Sequence, residues 1–336
     1  MDRRDALAAL VAFGACTGSR FSLAQAPSKV RILGLLSEGQ PSTPEQWEKT
    51  RFALKLKELG WVNGKNLIVE RVYGEGKPER LPALAAALVR KRADVIFAVG
   101  PEAAVDAART TRTIPIVFWG VSAPVEQGLI ASYARPGRNV TGVAYNADLE
   151  IFPKLLHIVR QLSPAADRAA YFSFLTALRT VGGGTFSEVD RKMEIAAKRL
   201  GFDLRAYPIA KREDFDTAFE GILGFRAQAL VTVTTWFSYL ERQRIIEFAD
   251  RNRLLSVFDT KQFADAGGLV SYGPDIWTMY EQAAGYVDRI LRGAKPGDLP
   301  VEQPTKFELA VNLATAKTFG LAIPQSVLVQ ADHLIE

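Results

Sequence analysis

Ala93-Asp-Val-Ile-Phe-Ala-Val-Gly100 and Ala227-Gln-Ala-Leu-Val-Thr-Val-Thr234 are one short pattern written at two places in the chain. Each is a nearly continuous apolar run that stops at a small or polar residue, as expected of a parallel strand buried on both faces. The flanking segments repeat too. Leu67-Ile-Val-Glu-Arg71 and Lys77-Pro-Glu-Arg-Leu81 precede the first copy; Phe202-Asp-Leu-Arg-Ala-Tyr207 and Lys211-Arg-Glu-Asp-Phe215 precede the second. Downstream, Ile114-Pro-Ile-Val-Phe-Trp-Gly120 is matched by Leu254-Leu-Ser-Val-Phe-Asp259. Strands alternating with helical stretches predict an α/β fold with doubly wound parallel sheets, and the repetition predicts two such lobes.

Other elements follow from local signals. Residues 30–36 read as a buried strand. Thr43-Pro-Glu-Gln46 supplies an N-cap, a proline at the first helical position and a capping-box glutamine. Phe52, Leu56 and Leu59 then form the core-facing stripe of one helix that Gly60 ends. Strands are expected at 67–73, 95–99, 114–119 and 140–145, with helices at 78–92 and from Pro101. The second lobe opens with a helix over 149–162 and has strands near 168–172, 203–207, 229–233, 256–258 and 268–272. Thr185-Phe-Ser-Glu188 and Ser238-Tyr-Leu-Glu241 read as capping boxes, and Gly182-Gly-Gly184 as a loop beside the cleft. An amphipathic helix over 276–291, a turn-rich linker over 293–300, a strand over 307–313 and a helix over 314–319 complete the chain. Lobe 1 is expected to hold residues 27–145 and 274–303, and lobe 2 residues 146–273 and 304–336. Hinges are expected near 144–146, 273–275 and 303–306.

Residues 1–26 read as a signal peptide. Arg3-Arg4 leads into an apolar run over 6–15 and then small residues at Ser22-Leu-Ala24, with the cut favoured after Ala24. The arginine pair and Leu7 suit either the twin-arginine or the general route. Phe13-Gly-Ala-Cys16 loosely resembles a lipoprotein box, in which leucine is usual at the first position. The later cut removes Cys16, the chain's one cysteine, and with it disulfides and thiolate chemistry. The protein is therefore expected on the periplasmic or extracellular side, as a monomer.

The formal charge of +5 on 336 residues is spread along the chain, and no cluster interleaves arginines with aromatics, which argues against nucleic acid. Arg90-Lys-Arg92 is best read as a helix end. His157 and His333, the two histidines, stand apart from each other, and no catalytic or metal motif occurs. No enzyme activity, metal or cofactor is expected.

Ligands of open α/β sheets bind beyond the carboxyl ends of the strands. That rule selects Ser37, Glu38, Gly100, Pro101, Trp119, Ser122 and Tyr145 in lobe 1. In lobe 2 it selects Ser173, Thr234, Thr235, Trp236, Asp259, Phe263 and Tyr272. Ser122, Thr234 and Thr235 are expected to hold polar groups while Trp119, Trp236 and Phe263 pack the ligand body. Taken singly, serines and threonines after strands are better explained as helix caps, and aromatics there as core; the site reading rests on both lobes presenting such loops together. Glu38 and Asp259 could face each other as an acid–base pair; a partner for a ligand ammonium, or simply a solvated carboxylate, is the better reading.

Several stretches in order resemble a known family. They are Arg31-Ile-Leu-Gly-Leu-Leu-Ser37, Leu59-Gly-Trp-Val-Asn-Gly-Lys-Asn66, Arg80-Leu-Pro-Ala-Leu-Ala85, Ile114-Pro-Ile-Val-Phe118, Ala134-Arg-Pro-Gly-Arg-Asn-Val-Thr-Gly142, Ala266-Gly-Gly-Leu-Val-Ser-Tyr-Gly-Pro274 and Leu299-Pro-Val-Glu-Gln-Pro-Thr-Lys-Phe307. Together they resemble ABC-transporter substrate-binding proteins of the tryptophan/tyrosine-uptake type. The resemblance implies a type I periplasmic binding-protein fold, lobes joined by three crossing strands, and delivery of a small ligand to a membrane permease and its ATPase. An amino acid or related carboxylate is the implied ligand class, aromatic ones included. Residues 172–184 depart from the family's Asn-Pro-type loop, which puts the identity of the ligand in question. A sensor that presents its ligand to a membrane receptor would use the same clamshell.

Overall fold

The computed structural model describes residues 30–146, 149–173, 181 and 188–336. The segment over residues 1–29, with the expected signal peptide, lies outside the described residues, as do Gly182–Gly184 and the start of the box at Thr185.

The first sheet has five parallel strands: β1 (Arg31–Ser37), β2 (Leu67–Tyr73), β3 (Val95–Val99), β4 (Ile116–Ser122) and β5 (Val140–Asn146), in the order β2-β1-β3-β4-β5. The second contains β6 (Arg168–Ser173), β7 (Asp203–Pro208), β8 (Ala229–Thr232), β9 (Leu255–Phe258), β10 (Val270–Pro274), β11 (Phe307–Asn312) and β12 (His333–Ile335). Its order is β12-β11-β10-β9-β8-β6-β7. The run β7-β6-β8-β9-β10 repeats the topology of the first sheet strand for strand. The repeat read from sequence is thus a repeat of architecture: β2, β3 and β4 correspond to β7, β8 and β9.

The two lobes exchange chain three times. β5 leads into helix Ile151–Leu162 of lobe 2, β10 leads back into helix Ile276–Leu291 of lobe 1, and residues 303–306 return to β11. At the last exchange Glu302 bridges to Val143, and the Ala144 N–H donates to the Glu302 carbonyl at 2.9 Å. This routing explains the one departure from a parallel sheet. β10 leaves lobe 2 at its cleft end, so the returning β11 starts there and runs antiparallel to it.

Helices Arg51–Glu58 and Ile276–Leu291 cover one face of the first sheet, and Leu81–Arg90 with Pro101–Thr110 the other. Phe52 stacks on Phe97 at 4.0 Å, joining helix to sheet. In lobe 2, Ile151–Leu162 and Glu188–Leu200 cover one face, while Asp214–Gly224 and Arg242–Arg251 cover the other through Phe215, Ile222 and Ile245. Among the described residues no helix is long and apolar enough to cross a membrane.

Two helix expectations are corrected. The helix expected after Thr43 is split into Pro44–Glu48 and Arg51–Glu58, because Thr50 caps the second piece by accepting from the Ala53 N–H at 3.2 Å. Ser238 does not start a helix. It is the third residue of Trp236–Leu240, whose N-cap is Thr235, and the two exchange backbone-to-side-chain bonds as a capping box.

Candidate functional site

The order β2-β1-β3 places a topological switch point between β1 and β3, and β7-β6-β8 places another between β6 and β8. Crevices open at such points, beyond the carboxyl ends of the strands. The two crevices face each other across a cavity of about 360 Å³, near the lower end of the roughly 300–1,000 Å³ usual for small-molecule sites.

Lobe 1 contributes Ser37 and Glu38 after β1, Gly100 and Pro101 after β3, Trp119 and Ser122 from β4, and Tyr145 from β5. Gly100 has φ of +92° and opens helix Pro101–Thr110, a turn that a Cβ would strain. Trp119 and Ser122 are three residues apart and would face opposite sides of a regular strand. A register shift around Gly120, whose φ is +76°, re-aims the strand so that both reach the cavity.

Lobe 2 contributes Ser173, Thr234, Thr235, Trp236 and Asp259. Several of these hydroxyls are committed within the wall. Ser173 Oγ donates to Asp190 Oδ2 at 3.1 Å, and Tyr171 Oη to Asp190 Oδ1 at 2.5 Å. Thr235 Oγ1 serves as the helix cap. Thr234 donates to Asp259 Oδ1 twice, through its N–H at 2.7 Å and through its hydroxyl. Both threonines line the cavity, Thr234 also orienting the Asp259 carboxylate and Thr235 also capping a helix.

Two expected residues do not reach the cavity. Phe263 is fully buried beneath the site, stacked on Phe258 at 4.5 Å. Its helical neighbour Gln262 faces the cavity instead, as the roughly 100° turn per residue dictates. Tyr272 stacks on Phe307 at 5.8 Å and lies under Lys154, away from the cleft. His157 is exposed on its helix and His333 sits beside Glu308 at 3.3 Å, so neither lines the cavity.

The sequence reading missed a second aromatic bank. Tyr280 stacks on Trp119 at 4.0 Å, with Trp277 one turn away. Both come from the first turns of the helix that enters lobe 1 from β10, and their i, i+3 spacing at that crossing was a usable signal. Tyr239 and Phe152 add to the lobe 2 side.

The electrostatics centre on Asp259, fully buried with no exposed surface. Burial pushes its carboxyl up to about 6, against the opposing pull of the Thr234 hydrogen bonds. Its Oδ2 has no hydrogen-bond partner, and neither has Gln262 Oε1; the buried indole nitrogens of Trp119 and Trp236 are unpartnered donors. The wall therefore presents unmet acceptors and unmet donors around an apolar space. Lobe contact is direct at Trp236, for a Cβ built on Gly39 would lie 3.1 Å from its ring and one on Gly76 3.5 Å from its Nε1.

The family described as ABC transporter substrate binding protein matches residues 49–335. The chain belongs to this family. Among relatives of this substrate-binding protein is the tyrosine-binding protein of Clostridioides difficile strain R20291, 23% identical over 278 residues, which span 81% of this chain and 76% of the relative. A conserved domain protein from Vibrio cholerae O1 biovar eltor superposes with a TM-score of 0.80 at 22% identity, covering 91% of this chain and all, 100%, of that one. The ABC domain from Streptococcus pneumoniae in complex with L-Trp gives 0.76 at 18% identity, covering 90% of this chain and 100% of the other. These likenesses carry the fold: two parallel-sheet lobes of the type I periplasmic binding-protein kind. The family's description is that of a substrate-binding protein of an ABC transporter.

Proposed function

We propose that this substrate-binding protein is the extracytoplasmic component of an ABC importer and closes on an amino acid or related small organic carboxylate, aromatic ligands being favoured. The observation that carries the reading is the cavity between the lobes, walled by Trp119, Tyr280 and Trp277 on one side and Trp236, Tyr239 and Tyr171 on the other. Large aromatic surfaces supply burial and stacking for a flat ring. The unmet indole donors and the unmet acceptors at Asp259 and Gln262 suit a ligand bearing both an acceptor and a donor group, as a zwitterion does. The tyrosine-binding relative and the L-Trp complex lend support of the same kind.

Closure would swing the lobes about residues 144–146, 273–275 and 303–306, with lobe 1 taken as 27–145 plus 274–303 and lobe 2 as 146–273 plus 304–336. A permease and ATPase would receive the loaded, monomeric protein. The test is a thermal-shift screen of the chain lacking residues 1–26 against amino acids, aromatic acids, sugars and nucleosides. Ligand at about 1,000 times its Kd adds roughly 4 kcal/mol, several degrees in Tm. Aromatic amino acids are expected to give the largest shifts. Shifts from sugars or nucleosides alone would overturn the ligand class.

A further inference from the structure

We propose that the pole of lobe 1 opposite the cleft is a basic docking face for an anionic phospholipid bilayer. The proposal stands apart from the ligand reading, for it concerns the amino ends of the strands, while the cavity lies at their carboxyl ends.

All strands of the first sheet run parallel, so the loops that precede them share one pole. Main-chain bonds link those loops side by side. The Arg31 N–H donates to the Asn66 carbonyl at 3.1 Å, Asp94 to Ile32 at 2.8 Å, Ile96 to Pro115 at 2.8 Å, Ile116 to Asn139 at 2.7 Å and Gly137 to Gly297 at 3.4 Å. Helices Leu81–Arg90 and Pro101–Thr110 end at this pole, and the helix dipole accounts for the exposed Arg90, Arg92 and Arg112 there. It does not account for Lys65, Arg135 and Lys295, which are exposed in loops, the last at the N-cap of the turn Pro296–Asp298. Among the described residues none of these six cations forms an ion pair, whereas the acids nearby are mostly neutralised. Asp94 pairs with Arg31 at 2.8 Å, Asp288 with Arg292 at 2.6 Å and Glu58 with Lys55 at 2.8 Å, which leaves Asp298.

Two observations favour a bilayer as the occupant. Apart from Val30, no large apolar side chain is exposed on these loops among the described residues, so the face lacks the aromatic or aliphatic centre of a protein interface. An anionic bilayer needs no such centre, because each lysine or arginine close to it gains from the surface potential. Residues 1–29, which include the leader read from sequence, join the fold at Val30 on this same pole. A leader held in a membrane therefore brings this face, and not the cleft, to the lipid. The cleft side is opposite in charge: Glu38, Glu102, Asp190 and Asp259 line the cavity, and among the described residues no lysine or arginine does. An anionic surface attracts the pole and repels the mouth, which orients the molecule with its cavity open to solvent.

The experiment is vesicle flotation of the chain lacking residues 1–26, so that the leader itself plays no part. The vesicles hold about 30% phosphatidylglycerol in phosphatidylcholine, or phosphatidylcholine alone. Binding is expected to the first and not to the second, and it should fall more than about tenfold between about 0.05 and 0.5 M sodium chloride as screening shortens the reach of the charges. Arg90→Gln, Arg92→Gln, Arg112→Gln, Arg135→Gln and Lys295→Gln together are expected to weaken vesicle binding more than about tenfold. A second variant removes the same charge from exposed positions of lobe 2, with Lys198→Gln, Arg199→Gln, Arg226→Gln, Arg253→Gln and Lys317→Gln, and should keep most of the affinity. Because the lipid and salt comparisons are made on the unchanged protein, they do not depend on either variant folding. Equal binding to both vesicle types, or none to the anionic ones at low salt, would overturn the docking face. Equal losses in the two variants would do so as well, by showing net charge rather than this pole at work. Retention on heparin without any vesicle binding would reassign the face to a soluble polyanion and overturn the bilayer.

Discussion

The Tyr145 hydroxyl, at the end of the lobe 1 sheet, donates a 2.7 Å hydrogen bond to the main-chain carbonyl of Asp259 in lobe 2. Both residues are buried, and burial raises the Tyr145 phenol well above its ordinary range, so it stays a donor. The bond joins the crossing strand β5 directly to the loop that carries the site. Tyr145→Phe would leave that carbonyl buried without this donor, at a cost of about 1–3 kcal/mol. Urea unfolding should show the loss as a lower midpoint with an unchanged slope, and the Kd for the ligand should rise.

Gly39 and Trp236 make a second prediction. A methyl on Gly39 would sit 3.1 Å from the Trp236 ring, closer than most real contacts, although the backbone there can accept a side chain. Gly39→Val should therefore hold the lobes apart rather than unfold either one. Ligand affinity should drop several-fold, the radius of gyration from small-angle scattering should grow, and the ligand-free Tm should hold. An unaltered scattering profile would count against closure through this contact.

The pH dependence follows from Asp259. Its carboxyl titrates at about 6 when folded, against 3.8 ordinarily, because burial penalises the charge. Between these values the folded form holds a proton that the unfolded chain has released, so ligand-free stability rises as pH falls through 6 and levels off below about 4. The full span is about two pH units, or ~3 kcal/mol. Subtracting the Tm profile of Asp259→Asn from that of the unchanged protein separates this group from Glu38, Glu102 and Asp190 in the same wall. The difference should favour the variant near neutrality and vanish in acid. Affinity for an ammonium ligand should run the other way, weakening below about pH 6.

Phe263→Ala distinguishes core from wall. Phe263 is fully buried, stacked on Phe258 in the core cluster that also holds Phe215 and Ile246, rather than facing the ligand. Truncation should cost about 3–5 kcal/mol of stability. At a temperature where the variant is still folded, its Kd should change by less than about twofold. A large affinity loss with little unfolding would place the ring in the wall after all.

The architecture was legible because buried parallel strands and capping signals leave marks in a few adjacent residues. The runs at Val95–Val99 and Ala229–Thr232 announced the duplicated sheet. The strand at Phe307–Asn312 was legible, but its antiparallel pairing and the three-residue β12 were not, since they follow from where the chain re-enters lobe 2. The cavity positions at Ser37, Gly100 and Trp236 followed from the rule about strand ends. Phe263 and Tyr272 failed because the rule selects strand ends without side-chain direction: Phe263 sits on the inward face of helix Lys261–Asp265, and Tyr272 lies within β10 on the side that stacks on Phe307. Tyr280 was missed because it reaches the cavity from a helix, and the hold of Thr234 on Asp259 was not legible because the two are remote in sequence.

Helix Ile276–Leu291 covers a sheet whose strands end at Asn146, and it arrives only after all five strands of the matching sheet in lobe 2, through Pro274, have been made. A chain made from its N-terminus therefore starts lobe 1 first and finishes it after the core of lobe 2 is available. In the interval helix Arg51–Glu58 covers its part of that face, while the part beside β4 and β5, Val117 and Val143 included, lacks its helix, and exposed apolar surface of that sort is what holding chaperones grip. The swap of one helix between lobes thus sets a timetable: lobe 1 stays unfinished until about the last fifth of the chain emerges.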